Sequence, residues 1–275
     1  MSLSRANADA AAMVDSSEVA SVETGTSWLV ASAALFILTF SYGAPLVSSV
    51  ALKPISADLG SARSVPALAN SLVWMGSGLG AIGLGWVAER IGFRSTAAFG
   101  AVMIGCGLAL SASGGTWSLV IGHGMLIGLL GSGAINVPLI VYVSRWFDRR
   151  RGSALALVSS GQYIAGAIWP SIIALGTERI GWRSTMLAFG AATTLAIVPA
   201  AILCLRPPPE EPMPGPVVAG RGVAGGDQVL GLSPAVAFTW LCVAGFLCCV
   251  PMAMPSGHVV ALCSDLGIGP PRKVP

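Results

Sequence analysis

Long stretches without a charged residue alternate with short charged segments along this chain of 275 residues. The charge-free stretches are residues 24–52, 64–88, 95–144, 152–177, 184–205 and 228–264. A helix needs about 20 apolar residues to cross a bilayer. The 95–144 stretch has room for two such helices, joined by a turn at Ser113-Gly114-Gly115-Thr116, and every other stretch has room for one. The pattern therefore predicts seven membrane spans.

A charged octapeptide occurs twice. Residues 89–96 and 178–185 are identical at seven of eight positions, and the echo Ala98-Phe99-Gly100-Ala101 returns as Ala188-Phe189-Gly190-Ala191. Three predicted spans lie between the copies. Because three is odd, the copies must lie on opposite membrane faces. This arrangement predicts an all-α membrane transporter built from two inverted three-helix repeats.

Composition narrows the class of protein. Charged residues are 10% of the chain, apolar residues are 54%, and the mean hydropathy is +0.78. These values indicate an integral membrane protein that contacts the lipid bilayer. The sequence has no basic stripe with interleaved aromatic residues, so we predict no nucleic-acid partner. Neither lysine follows a phosphate-binding glycine loop, which excludes a nucleotide-binding P-loop on this chain and argues against an ATP-driven pump subunit. We find no hydrolase motif, metal-ligand set or cofactor motif, and so predict no enzyme and no cofactor.

Four regions are predicted. They are a disordered cytoplasmic tail (1–24), a six-helix transporter half (25–206), a flexible Pro- and Gly-rich cytoplasmic linker (207–231), and a seventh helix with the start of a second half (232–275). With the N-terminus inside, the inner segments hold nine Arg and Lys residues and the outer ones six. This bias predicts a multi-pass protein of the plasma (inner) membrane with a cytoplasmic N-terminus.

Two spans are rich in glycine, which lets helix backbones approach closely in lipid. The second span carries Gly76, Gly78, Gly80, Gly83 and Gly85, and the fourth carries Gly122, Gly124, Gly128, Gly131 and Gly133. Such faces serve either sliding between helices or static packing, and the sequence leaves both open.

Polar residues inside spans are the candidates for a substrate path, because exposing them to lipid is costly. They are Tyr42, Asn70, His123, Asn136, Gln162 and Tyr163, with Trp74 and Trp169 as apolar walls. His123 is either a proton relay or a neutral hydrogen bonder between helices. Asn70 and Gln162 lie in the second and fifth spans, which the repeat relates, so we expect them to face one cavity.

The loop after the second span resembles a known signature. Gly85-Trp86-Val87-Ala88-Glu89-Arg90-Ile91-Gly92-Phe93-Arg94 is similar to the loop between helices 2 and 3 of the major facilitator superfamily. In this loop, Gly85 is expected to allow a close helix contact. Glu89 is expected either to hold a cation or to face the positive end of a partner helix. Arg90 and Arg94 are expected to keep the loop on the cytoplasmic side. Phe93 departs from the signature, where a second basic residue is common.

Other stretches resemble the monocarboxylate transporter and oxalate/formate antiporter branch. They are Phe40 to Pro45 and Leu52 to Gly60, Arg145 to Ala154 with Asp148 and Arg149, and Gly181-Trp182-Arg183. The resemblance implies alternating access and a small organic anion as substrate, with a proton or counter-anion as coupling ion. Leu46 stands where some monocarboxylate carriers place a lysine, so that residue's role does not carry over.

The superfamily has twelve helices in two halves, whereas this chain has room for seven. We therefore expect a truncated chain that needs a second copy or a complementing half to complete its cavity. A non-transporting membrane remnant is the alternative. A seven-helix retinal protein is disfavoured, because the seventh span has no lysine for a Schiff base.

Overall fold

The structure is a computed structural model that describes residues 23–60, 64–206, 233 and 235–249. The helices are α1 (Gly25–Val50), α2 (Leu52–Asp58), α3 (Ser64–Ile91), α4 (Phe93–Ala112), α5 (Thr116–Ser144), α6 (Arg151–Ile180), α7 (Trp182–Cys204) and α8 (Ala235–Cys249). This part of the chain contains no strand, which confirms the predicted all-α fold class. The predicted linker and most of the predicted N-terminal tail lie outside the described residues.

Five helices, namely α1, α3, α4, α5 and α7, are long and apolar enough to cross a membrane. The α6 helix has 30 residues, a sufficient length, but its exposed face carries Ser159, Gln162 and Tyr163, which lower its hydropathy. The described part of the predicted seventh span is the 15-residue apolar helix α8. Charge-free length alone therefore overestimated how many helices are apolar enough to be identified as spans. It does not register uncharged polar residues such as those on α6.

Glycine determines where the long hairpins turn. Gly114 has φ of 93° and separates α4 from α5, as the sequence predicted for this turn. Gly92 and Gly181, with φ of 96° and 82°, separate α3 from α4 and α6 from α7. A side chain at such φ values would be strained, which explains why glycine ends these helices.

Helix α5 is irregular in the middle. It is α-helical over Thr116–Ile121, π-helical over Gly122–Ser132, and α-helical again over Gly133–Ser144. A π-helical stretch of 11 residues is uncommon, because most π segments are single turns. Small residues make room for this wider segment on the two neighbours, at Gly76 and Gly80 of α3 and at Gly107 of α4.

The packing follows the inverted repeat. Helices α1, α3 and α4 form the first unit, and α5, α6 and α7 form the second. The first helix of each unit packs along the second helix of the other, α1 on α6 and α5 on α3. The third helices, α4 and α7, pack on each other, and Gly105 lies against Gly190 there. The two units are thus interleaved rather than placed side by side.

Candidate functional site

The two copies of the repeated octapeptide form the same local structure. In the first copy, the Thr96 hydroxyl donates a hydrogen bond of 3.0 Å to the carbonyl oxygen of Gly92. In the second copy, the Thr185 hydroxyl donates one of 2.8 Å to the carbonyl oxygen of Gly181. The backbone N–H groups of both threonines donate to the same carbonyls, at 3.2 and 3.1 Å. The two copies of the octapeptide therefore share their local structure as well as their sequence.

The copies lie at opposite ends of the helix bundle. At one end, Glu89 of the first copy accepts a hydrogen bond of 2.7 Å from Arg145, which follows α5. At the other end, Arg183 of the second copy donates one of 2.8 Å to Asp58, which ends α2. We call these the Glu89 end and the Asp58 end. The opposite placement agrees with the prediction from the odd number of spans.

The remaining signature residues lie around the Glu89 end. The Arg90 guanidinium stacks on the ring of Trp86, 3.6 Å from its centroid, and Arg94 is exposed. The backbone N–H of Arg149 donates to Asp148 at 2.8 Å. Gly85 differs from expectation. A Cβ added there would meet no described atom within 4 Å, so the expected close helix contact is wrong for this part of the chain.

Two of the path candidates stack on each other through their aromatic rings. Tyr42 of α1 and Trp74 of α3 stack with ring centroids 6.1 Å apart and planes inclined by 27°. Trp74 is 46% exposed, whereas Tyr42 is half-buried. Their rings therefore form an accessible aromatic surface between α1 and α3.

A buried polar bridge lies next to this surface. The Ser41 hydroxyl of α1 donates a hydrogen bond of 2.8 Å to Asn136 Oδ1 of α5. Ser41 is fully buried and Asn136 is 5% exposed. Pro45 has no N–H, so the Ser41 carbonyl also lacks its helical donor. Sequence reasoning missed Ser41, although a serine four residues before a membrane proline was the available signal.

His123 does not face the aromatic surface. It is fully buried, and its Nδ1 lies 2.9 Å from the Ser111 hydroxyl of α4 and 3.2 Å from the carbonyl oxygen of Leu119. These contacts match the helix–helix hydrogen bonder, one of the two interpretations that the sequence left open.

The other path candidates lie elsewhere. Asn70 is half-buried on α3, whereas Gln162 and Tyr163 are exposed on α6. Helix α3 packs on α5 and helix α6 packs on α1, and no hydrogen bond joins Asn70 to Gln162 among the described residues. Their shared cavity stays a prediction. Trp169, the predicted wall, packs against α1 and α7 through Phe40 and Phe189.

The chemistry of the Ser41–Tyr42–Trp74–Asn136 group is neutral. It offers hydroxyl and amide groups for hydrogen bonding and two aromatic faces, and none of its members carries a formal charge. Within the described residues, no three His, Cys, Asp or Glu side chains lie close enough together to hold a metal ion.

Known proteins are similar to this chain in sequence. The family model described as Major Facilitator Superfamily matches residues 29–269. An MFS-type transporter, pynF, of Aspergillus niger is 30% identical over 51% of this chain and 34% of its own length. Monocarboxylate transporter 3 of Rattus norvegicus is 28% identical over 89% of this chain and 50% of its own. Monocarboxylate transporter 11 of Mus musculus is 29% identical over 66% and 40%. The chain thus spans half or less of the length of these relatives.

Proposed function

The chain belongs to the major facilitator superfamily, and on this premise we propose that it acts in a carrier that moves small organic anions across the membrane by alternating access. The single observation that carries the proposal is the interleaved pair of inverted three-helix units, with the repeated turns at opposite ends. Carriers of this architecture bind substrate where their repeats meet.

The Ser41–Asn136 bridge supports a binding role for this part of the bundle. It joins α1 to α5, the first helices of the two units, and the Tyr42–Trp74 stack lies beside it. Because Asn136 Oδ1 accepts the hydrogen bond from the Ser41 hydroxyl, the Asn136 amide N–H groups remain to donate. Groups that donate suit a ligand rich in acceptor oxygens, such as a carboxylate.

The substrate class is drawn from relatives. Two of the relatives are named monocarboxylate transporters, a name that applies to those proteins. For this chain we propose a mono- or dicarboxylate of the monocarboxylate or oxalate/formate type, with a proton or a counter-anion as coupling ion. We further propose residence in the plasma (inner) membrane with the N-terminus on the cytoplasmic side. A second copy of the chain or a complementing half would supply the other cavity wall.

Uptake into liposomes tests the proposal. The purified 275-residue chain is reconstituted alone and together with a second half taken from a monocarboxylate transporter, and uptake of radiolabelled lactate and oxalate is measured. We expect little uptake by the chain alone and clear uptake with the second half. Absence of uptake in both preparations would favour the non-transporting remnant.

A matched pair of variants identifies the path. Asn136→Ala removes the amide of the buried bridge, and we expect it to raise the KM for the carboxylate in the complemented preparation. Ser118→Ala, near the start of α5, removes a hydroxyl outside the proposed path and serves as control. Equal KM values for the two variants would contradict the proposed site.

A further inference from the structure

Each repeated turn contributes one charged partner to an ion pair, but the two copies use different positions of the octapeptide. The first copy uses its acid, Glu89, which pairs with Arg145. The second copy uses its sixth residue, Arg183, which pairs with Asp58. Because the copies are nearly identical in sequence, this difference is decided by the loop that each copy meets.

The two ion pairs are equivalent in topology. Arg145 and Asp58 follow the first helices of the second and first units, α5 and α1, and each is held by a turn of the other unit. In both cases the turn between the second and third helix of one unit holds the exit of the first helix of the other. The two ends therefore share the same arrangement, with the positions of the acid and the base exchanged.

The Arg183 side chain fits closely among its neighbours at the Asp58 end. Arg183 Nη2 and Nε both donate to Asp58 Oδ2, at 2.8 and 3.3 Å. The guanidinium also lies over the ring of Trp182, 5.0 Å from its centroid. A Cβ at Gly114 would lie 2.5 Å from Arg183 Nη2, so the turn between α4 and α5 leaves space for this side chain. Arg183 thus joins three turns at the Asp58 end.

We propose that Asp58 and Arg183 are positioning residues that hold the exit of α1 closed against the Asp58 end, as Glu89 and Arg145 hold the exit of α5 at the Glu89 end. Helix α1 carries Ser41 and Tyr42, so this ion pair controls the helix that lines the proposed path. Both side chains are about half exposed, 47% for Arg183 and 46% for Asp58. An exposed ion pair contributes little to global stability. We therefore expect loss of this pair to increase local opening at the exit of α1 rather than to unfold the protein.

Cysteine labelling in membranes tests the inference without any substrate. Two buried serines near the helix exits serve as reporters in a cysteine-free background. They are Ser49 of α1, 8% exposed, and Ser144 of α5, 9% exposed. Each is replaced by cysteine in a separate protein, and the rate of reaction with a maleimide is measured in membrane fragments, where both faces are accessible.

We expect Asp58→Asn and Arg183→Gln each to speed labelling at position 49 about fivefold, the order of effect that loss of one exposed ion pair allows. Labelling at position 144 should stay unchanged. Glu89→Gln should do the reverse, with faster labelling at position 144 only. Arg179→Gln removes another exposed charge from the same turn and should change neither rate.

The charge-swapped double variant Asp58→Arg with Arg183→Asp completes the design, and we expect it to recover part of the slow labelling at position 49. Unchanged labelling in the single variants would overturn the proposal. Equal acceleration at positions 49 and 144 would also overturn it, because it would mean general loosening rather than a local hold. Neither result depends on whether the chain transports anions.

Discussion

The α3–α5 and α1–α6 interfaces are related by the inverted repeat, yet they are packed by different chemistry. At α3–α5, backbone lies against backbone. A Cβ at Gly76 would lie 2.5 Å from the carbonyl oxygen of Gly124, and one at Gly80 would overlap the carbonyl of Leu129. At α1–α6, close approach occurs at Gly161, where a Cβ would lie 2.9 Å from the carbonyl oxygen of Leu35.

Aromatic side chains complete the α1–α6 interface. The Trp169 indole N–H donates a hydrogen bond of 2.7 Å to the carbonyl oxygen of Thr39. The Trp169 ring meets Phe40 and Phe189 edge-on, with centroids 4.9 Å apart in each case. Gly43 makes room for this cluster, since a Cβ there would lie 2.5 Å from Phe189.

The comparison teaches that a shared topology does not require shared contacts. In lipid, apolar burial supplies little drive for helix association, so an interface needs either close backbone packing or specific hydrogen bonds. The glycine interface uses the first and the tryptophan interface uses both. Two predictions test this difference, and a third tests the polar bridge between α1 and α5. Each compares a contact with a matched position that lacks it.

Removal of the tryptophan should have the largest effect. We expect Trp169→Ala to destabilise the protein by about 3 kcal/mol, because it deletes the indole hydrogen bond and leaves a cavity beside Phe40 and Phe189. The loss is measured as a fall in Tm of the detergent-purified chain. Trp117→Ala is the control, because Trp117 is 77% exposed. An equal fall in Tm for the two variants would show that the aromatic cluster is not what holds α6.

A methyl group in the glycine interface should have an intermediate effect. Gly80→Ala places a Cβ onto the Leu129 carbonyl, and we expect overpacking to cost about 2 kcal/mol. Gly83→Ala, three residues further along α3, meets open space among the described residues. It should leave Tm unchanged or raise it, since alanine favours helix. If Gly80→Ala also raises Tm, the backbone contact between α3 and α5 does not exist as described.

Loss of the polar bridge should have the smallest effect. Ser41→Ala removes the hydrogen bond to Asn136, and we expect a loss of about 1 kcal/mol in the free energy of unfolding. Ser71→Ala is the matched control, because Ser71 is exposed and, among the described residues, its hydroxyl bonds only the carbonyl of Ala67 in its own helix. Denaturant titration in mixed micelles measures both. Indistinguishable variants would mean that α1 and α5 are not joined at this point.

Much of the local structure could be predicted from the sequence. The turn at Gly114 and the repeated turns at Gly92 and Gly181 all lie where charge and glycine predicted them. The span count was less secure, because α6 is long but polar on one face. The short helix α2 had no sequence signal, since Leu52–Asp58 reads as a loop between two spans.

The candidate site was only partly predictable. Tyr42, Trp74 and Asn136 were identified as polar or aromatic residues inside spans, and the structure brings Tyr42 onto Trp74. The hydrogen-bond partner of Asn136 is Ser41. Ser41 was not identified as a candidate, because it is one of many small residues in the spans. Gln162 and Tyr163 were identified by the same rule, yet they lie on an exposed face of α6.

The sequence by itself determined the membrane class, the helical hairpins and the inverted duplication, because apolar length, charge and glycine act over short distances along the chain. Only the tertiary structure decided which polar groups meet: Ser41 with Asn136, Ser111 with His123, and Asp58 with Arg183. The physical reason is that these helices are apolar around most of their circumference. The pattern therefore does not reveal which face turns inward, and rotation and register come from packing with neighbours distant in the chain.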